Sequence, residues 1–358
     1  MIIGIDVREG ARSERAGKGE YVYQLVTHLI THAEQRWVLF SDTDLPVEWQ
    51  QPQIKRVVIK TSAWLWQLRV FWYLEILRPV DVYFSPTSLI LPAVVRSIPV
   101  VTALMDFVSF LFPGRHDLKA VILEKWWMRP ALRYSRNLLA ISEHTKQDAV
   151  RLFGTRPDKI IVTPLAASFG QKEETYPLPA RPTILCVGTL EPRKNIERVI
   201  AAFNLIKPQV LEAQLTLVGR WGWQSDGIRQ AIAESPYKDD IKVLEHISNA
   251  QKKSIYQQAT VLVFPSLYEG FGLPPLEAMS VGLPVVVSER ASLPEVVGEA
   301  GLMVDPLSVP SIAAAILKVL QHPEVAANLR RLGLARARLF SWDKTAAETL
   351  KVLQDSER

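Results

Sequence analysis

The stretch TVLVFPSLYEGFGLPPLEAM, residues 260–279, decides the fold. Its first six residues are a β-branched and apolar run that reads as a buried strand, and its last few read as the start of a helix. Gly270 and Gly272 do not belong in a helix interior. Pro275 opens a helix well, because the N–H that proline lacks has no partner there to lose. Strand, glycine loop and helix start within twenty residues make half of a βαβ unit. The stretch also carries two carboxylates, Glu269 on the loop and Glu277 in the expected first helical turn, and a simple corner needs neither.

Outward from this stretch the same alternation continues. The second half adds strands at 183–188, 214–219, 242–246, 284–288 and 301–305, with helical patterns between them. The first half repeats the plan, with strands at 2–7, 37–41, 56–60, 81–85, 99–104, 137–142 and 159–164. Residues 20–33 show the helical period, with Val22, Leu25, Val26, Leu29 and Ile30 on one stripe. Strand–helix alternation implies parallel sheets covered on both faces. Between the halves, residues 168–182 hold three prolines and little periodicity, the mark of a linker. The fold expected is α/β: two doubly wound, Rossmann-like domains facing each other across a cleft. Their bounds are 1–168 and 183–340, with a linker at 169–182 and a terminal segment, 341–358, returning to the first domain.

Length and composition agree. At 358 residues, 48% hydrophobic and 22% charged, the chain suits two globular domains and not a disordered protein. The lone Cys186 excludes an internal disulfide and suits a reducing compartment. Residues 1–10 read as a buried strand, not a signal peptide, and no run of eighteen apolar residues exists to span a membrane. The expected location is the cytoplasm. Residues 1–168 hold 21 Lys+Arg against 16 Asp+Glu, whereas residues 169–358 hold 21 of each. The excess of five positive charges therefore lies wholly in the first half, which either meets an anionic partner or is simply a solvated basic surface. No nucleic-acid motif accompanies it.

In open α/β sheets ligands sit beyond the carboxyl ends of the strands. Three such ends in the second half carry chemistry. Gly188 closes one strand, and Arg193 and Lys194 follow just before a helix, where two cations suit a diphosphate. Gly219 and Gly222 close the next. The third is the opening stretch, whose carboxylates suit the hydroxyls of a ribose or a hexose. Glycine, cations and carboxylates at consecutive strand ends point to a nucleotide-sugar site and away from packing alone.

These residues resemble glycosyltransferase family 4 of the GT-B fold, retaining transferases that use nucleotide sugars. The likeness rests on GTLEPRKN (188–195), VGRWGW (218–223), EGFGLPPLE (269–277) with its glutamates separated by seven residues, GLPVVVS (282–288) and FSWDKTA (340–346). In the first half it rests on IGIDVRE (3–9), a glycine loop with Gly17 and Gly19 before Tyr21, SEHTKQD (142–148) and VTPLA (162–166). The resemblance implies that Arg193 and Lys194 hold the donor diphosphate and that Glu277 binds the ribose. It implies that Glu269 contacts the transferred sugar, with the amides of Gly270, Phe271, Gly272 and Leu273 supporting sugar and phosphate. Gly17 and Gly19 would let the first domain, which binds the acceptor, approach the diphosphate. The donor would be a UDP- or GDP-sugar, the acceptor a glycan or a polyprenyl-diphosphate-linked sugar, and neither cofactor nor metal is implied. One position departs from the family: where it has His-Asp after a first-domain strand, this chain has Met105-Asp106. A thioether does not replace the histidine's hydrogen bond, so the alternative reading is a weakened or inactive homologue that binds donor or a partner transferase. His116-Asp117, ten residues on, is a poor substitute.

Other features weigh less. Asp42-Thr43-Asp44 resembles a metal motif of a different transferase fold and reads as a polar turn. His28 and His32 stand one helical turn apart, opposite the apolar stripe, and read as surface. Residues 62–78 and 119–136 together hold five of the ten tryptophans, and six cations against two acids lie between Arg115 and Arg136. Both segments read either as helices packed on the first sheet or as a surface for an anionic membrane.

Overall fold

The computed structural model describes residues 1–358 apart from 14, 16, 33, 113–117, 170–180 and 358, and the side chains at 118–121, 123 and 249 fall outside the description as well. Two compact units divide the chain: Met1–Ala166 with Ser341–Arg358, and Ala167–Phe340. Of the expected linker, 169–182, residues 170–180 lie outside the described residues.

The first unit holds a parallel sheet of β1 (Ile2–Asp6), β2 (Arg36–Ser41), β3 (Ile54–Val58), β4 (Val82–Ser85), β5 (Val100–Leu104), β6 (Asn137–Ala140) and β7 (Ile160–Val162), in the order β3-β2-β1-β4-β5-β6-β7. Every strand pairing in it is parallel; on β1, Ile5 faces Leu39 of β2 and Phe84 of β4. β4 and β5 are buried along their whole length. That is why they read as unbroken apolar runs: helices cover both faces, so neither side needs polar residues. β3 is the exception. It runs two residues earlier than the expected 56–60, because Lys55 and Arg56 on this edge strand are exposed and hide its start.

The second unit holds β8 (Thr183–Val187), β9 (Gln214–Val218), β10 (Ile241–Leu244), β11 (Val261–Phe264), β12 (Val285–Ser288) and β13 (Leu302–Val304), in the order β10-β9-β8-β11-β12-β13, again all parallel. Its core joins Ile184, Leu215, Leu217, Val261 and Val263 of the strands to Val199, Phe203, Ile312 and Ile316 of the helices Ile196–Ile206 and Val309–Gln321. Cys186 is buried in this core, and burial pushes its thiol up, far from reactivity.

The terminal helix, Trp342–Glu357, belongs to the first unit, where it packs on the Gly17–Leu29 helix. Trp342 lies beside Tyr21, with ring centroids 6.2 Å apart, and Thr345 Oγ1 donates to the Pro164 carbonyl at 2.6 Å. His28 faces Asp343 of this helix at 2.7 Å, so an interhelical contact occupies it.

Candidate functional site

The second sheet reverses direction between β8 and β11: β9 and β10 lie to one side, β12 and β13 to the other. Chains leaving two adjacent strands on opposite faces open a crevice at their carboxyl ends. The loops that follow, 188–194 and 265–272, are tied by Leu267 N–H donating to the Arg193 carbonyl at 2.9 Å. Asn195 completes the tie. It adopts a left-handed φ of 63°, and its Nδ2 donates to the Pro265 carbonyl at 3.0 Å and to the Pro306 carbonyl, after β13, at 2.6 Å. One buried amide thus fixes three strand ends.

The charged residues meet on this frame. Arg193 and Lys194 occupy a short 3-10 turn, Pro192–Lys194, directly before the Ile196–Ile206 helix. Arg193 Nη1 lies 2.9 Å and Lys194 Nζ 2.6 Å from the same oxygen, Glu269 Oε1. The guanidinium also donates to Glu191 Oε1, at 3.0 Å from Nε and 2.7 Å from Nη2, and to the Tyr268 carbonyl at 2.6 Å. Lys194 Nζ stands 4.6 Å from the Phe264 ring centroid. Burial by itself would raise the Glu269 carboxyl, but Arg193 and Lys194 outweigh it and hold the group at about 2. The Lys194 ammonium is shifted down, first by burial and also by Arg193, against the pull of Glu269. Two cations and two carboxylates largely withdrawn from water are costly to assemble, and such clusters suit sites where a further charge is received.

Glu277 sits apart from this cluster, with its own partners. The helix that carries it, Leu273–Ser280, starts at Leu273, earlier than Pro275 alone suggests, so Glu277 lies in the second turn and not the first. The reason is local: Gly272 takes a φ of 113° as the cap, and the two prolines fill early positions that need no N–H. Those prolines also remove two of the amides a helix start usually offers, leaving any anion contact to the loop amides and Leu273. Buried Glu277 accepts from Lys252 Nζ at 2.7 Å and from the Tyr256 hydroxyl at 3.0 Å. Lys252 and Tyr256 are four residues apart on the Asn249–Gln258 helix, which Ser248 and Gln251 close with a capping box. Phe169 packs edge-on against Tyr256 at 5.7 Å.

Ser292 orients the loop between the two glutamates. Its buried hydroxyl lies 2.9 Å from the Glu269 carbonyl and 2.7 Å from the Phe271 carbonyl. In a trans peptide C=O and N–H point opposite ways, so this contact turns the N–H groups of Gly270 and Gly272 away from Ser292. At Gly219 a Cβ would lie 2.0 Å from the Gly188 carbonyl oxygen, so the ends of β8 and β9 meet backbone to backbone.

The structure therefore gathers Gly188, Arg193, Lys194, Gly219, Glu269, Gly270, Phe271, Gly272 and Leu273 at the ends of β8, β9 and β11. The first-unit candidates stand on their own unit. Met105 and Asp106 follow β5, half-buried, and Asp106 Oδ1 accepts from Val108 N–H at 3.1 Å to start a short helix. Gly17 and Gly19 were expected on a loop; both lie in the first turn of the Gly17–Leu29 helix. Glycine in a helix costs backbone entropy, about 0.5–1 kcal/mol relative to alanine. At Gly19 a Cβ would come within 2.8 Å of the Glu9 carbonyl oxygen, so close packing calls for glycine. His116-Asp117 lies outside the described residues.

Sequence reasoning missed Glu191, Lys252, Tyr256 and Ser292, and in the first unit the pair at the end of β1. There Arg8 holds Asp6 with two hydrogen bonds of 3.0 and 2.8 Å while its guanidinium lies 3.7 Å from the Trp66 ring centroid. Glu191 stands two residues before Arg193 and was locally legible. The contact of Lys252 and Tyr256 with Glu277 needs the fold, although their four-residue spacing marks one helix face.

Residues 171–335 match the family described as glycosyl transferases group 1. The chain is 34% identical over 261 residues to O-antigen chain mannosyltransferase B of Escherichia coli, a match that covers 70% of this chain and 68% of that protein. Among solved structures it is similar to sucrose-phosphate synthase from Thermosynechococcus elongatus (TM-score 0.79, 21% identity, 99% of this chain and 98% of that one). It is likewise similar to Anabaena HepE in complex with UDP-glucose (TM-score 0.78, 18% identity, 99% of this chain and 100% of that one).

Proposed function

Since the chain belongs to the glycosyl transferases group 1 family and has its two-unit GT-B fold, we propose that it is a retaining glycosyltransferase that moves a hexose-type sugar from a nucleoside diphosphate sugar to a glycan or lipid-linked acceptor in cell-surface polysaccharide synthesis. The observation that carries this reading is the meeting of Arg193, Lys194 and Glu269 at the switch point of the second sheet. The second unit would bind the donor and the first the acceptor. A mannosyl donor is the first to test, because the O-antigen relative is named a mannosyltransferase; the HepE structure, solved with UDP-glucose, puts UDP-sugars beside GDP-sugars in the same panel.

In this reading the donor diphosphate reaches Arg193 and Lys194, which then share their charge between it and Glu269. The sugar lies against Glu269 and the amides of Gly270 to Leu273, and the ribose hydroxyls donate to the Glu277 carboxylate, an acceptor-only group when ionised. The bond from the anomeric carbon to the diphosphate oxygen breaks, and its electron pair leaves with the phosphate. The acceptor oxygen bonds to the same carbon from the same face and gives its proton to a phosphate oxygen. The protein's share is to stabilise charge growing on the leaving group, worth about 3 kcal/mol for each well-placed donor.

Met105 favours a second reading, a homologue that binds donor without turnover, because it stands where the family has histidine. Calorimetric titration with UDP, GDP and a panel of their sugars, with Glu277→Ala as control, tests the site. Release of nucleoside diphosphate on adding acceptor separates the two readings. Binding without release favours the second, and no binding by any nucleotide sinks the donor-site assignment.

A further inference from the structure

The Ala63–Trp72 helix and the π-helical turn Tyr73–Leu77 that continues it are apolar all round, with only Gln67, Arg69 and Glu75 polar. One face is accounted for: Trp66, Val70 and Leu74 are fully buried in a core with Phe40 and Tyr83. The opposite face is not. Trp64, Leu65, Leu68, Trp72 and Ile76 are each half or more exposed, at 60, 50, 51, 53 and 65%. Their spacing of i, i+1, i+4, i+8 and i+12 makes one stripe along the helix. A helix apolar on every side is normally covered on every side, and a contiguous exposed stripe of this kind marks a contact surface.

A neighbouring helix of the same unit carries a second exposed apolar face. Glu75 accepts from the N–H groups of Arg96 and Ser97, and the Arg96 guanidinium stacks 3.4 Å from the ring centroid of Tyr134, on the Leu118–Tyr134 helix. The short Ile90–Val94 helix packs against both neighbours. On the outer face of Leu118–Tyr134, Ile122 and Trp126 are 52 and 77% exposed. Exposed Lys125, Arg129 and Arg133 share that face. Arg69 and Arg78 are the exposed cations beside the first stripe, whereas its acid, Glu75, is engaged by backbone amides. Exposed tryptophan and leucine rimmed by arginine and lysine fit one kind of partner: an apolar layer beneath an anionic surface.

We infer that this face of the first unit docks on an anionic phospholipid bilayer, with Trp64, Leu68, Trp72 and Trp126 entering the headgroup region and Arg69, Lys125 and Arg129 meeting lipid phosphates. The inference stands whether or not the donor site assigned above is correct, since no residue is shared between them.

The test is flotation of the full chain with phosphatidylcholine vesicles, with and without phosphatidylglycerol, at low and high salt. Flotation with the anionic vesicles alone, weakened by salt, is expected. Lys125→Glu with Arg129→Glu should weaken it about fivefold or more for each cation reversed. Trp64→Ser with Leu68→Ser and Trp72→Ser should abolish it while leaving thermal stability and nucleotide-sugar binding unchanged, because these side chains face solvent. In the unaltered protein, brominated acyl chains should quench tryptophan fluorescence, and the serine variant should lose much of that quenching. Absence of flotation with anionic vesicles overturns the inference. So does equal flotation of the variants, or a dimer in sedimentation that the serine variant converts to monomer without any vesicle binding.

Discussion

The two sheets are wound alike, β3-β2-β1-β4-β5-β6 in the first unit and β10-β9-β8-β11-β12-β13 in the second, yet their side chains are used in opposite ways. In the second unit the polar chemistry lies inside, at the strand ends: Arg193, Lys194 and Glu269 form one buried cluster, and Glu277, Lys252 and Tyr256 another. In the first unit one buried ion pair, Asp6–Arg8, stands at the corresponding switch point, and the distinctive residues lie outside, on the tryptophan-bearing helices. Winding fixes where a crevice can open, and side chains decide which rim gathers charge. It follows that damage to the second rim should act on chemistry, and damage to the first unit's outer face on location.

The strongest way to break this contrast is Lys194→Ala. If this cation faces the leaving group as proposed, its loss should lower turnover roughly a hundredfold, measured as nucleoside diphosphate release at saturating donor. Unchanged turnover would remove the clamp and with it the second unit's claim to the chemistry. Glu277→Ala should weaken donor binding about tenfold or more, equivalent to about 1.4 kcal/mol, as read by calorimetry. The same variant strands Lys252 and the buried Tyr256 hydroxyl, so a fall in stability of about 1–3 kcal/mol should accompany it. If stability falls and affinity does not, Glu277 is structural only.

Acid titration sharpens the point. Glu269 has its carboxyl lowered from 4.5 to about 2 in the folded chain. A depressed carboxyl contributes stability that is fully present above the unfolded value and is lost as pH falls through the folded one. Stability of the second unit should therefore decline between about pH 5 and pH 2, and Glu269→Gln should flatten that part of the curve in chemical denaturation at stepped pH. A slope identical in the variant would mean that other carboxylates carry the acid response. Ser292→Ala should have the smallest effect: about 1 kcal/mol for the lost hydroxyl contact, with donor affinity reduced several-fold and melting lowered by only about 2–4 °C. No change in affinity would show that the loop amides hold their direction without it.

Much of this was legible in the residues, for a physical reason. Parallel strands buried on both faces announce themselves as apolar runs, and all thirteen expected strands are present, with only the edge strand β3 misplaced by its exposed Lys55 and Arg56. The Arg193–Lys194 turn and the EGFG loop were readable because glycine and proline punctuate the chain locally. Glu277 reaching Lys252 and Tyr256 was not, since the contact crosses from one helix to another and leaves no spacing to read. Nor was the packing of Gly17 and Gly19 into a helix, where glycine looks like loop until Glu9 is seen against it. The aromatic segments gave the reverse case: composition flagged them, and only exposure separated Trp64 and Trp72 from the buried Trp66.

The placement of the Trp342–Glu357 helix in the first unit has a consequence for biosynthesis. Domains fold as they leave the ribosome, at about 5–20 residues per second. The first unit must wait for the whole of Ala167–Phe340 to be translated before its covering helix emerges, a delay of roughly ten to thirty seconds at that pace. Through that interval Tyr21 and its neighbours on the Gly17–Leu29 helix lack the Trp342 ring that covers them in the finished fold. A released chain truncated after Phe340 should thus keep a sound second unit joined to a sticky, protease-sensitive first one, and limited proteolysis of that truncated chain beside the full one would show which half is cut.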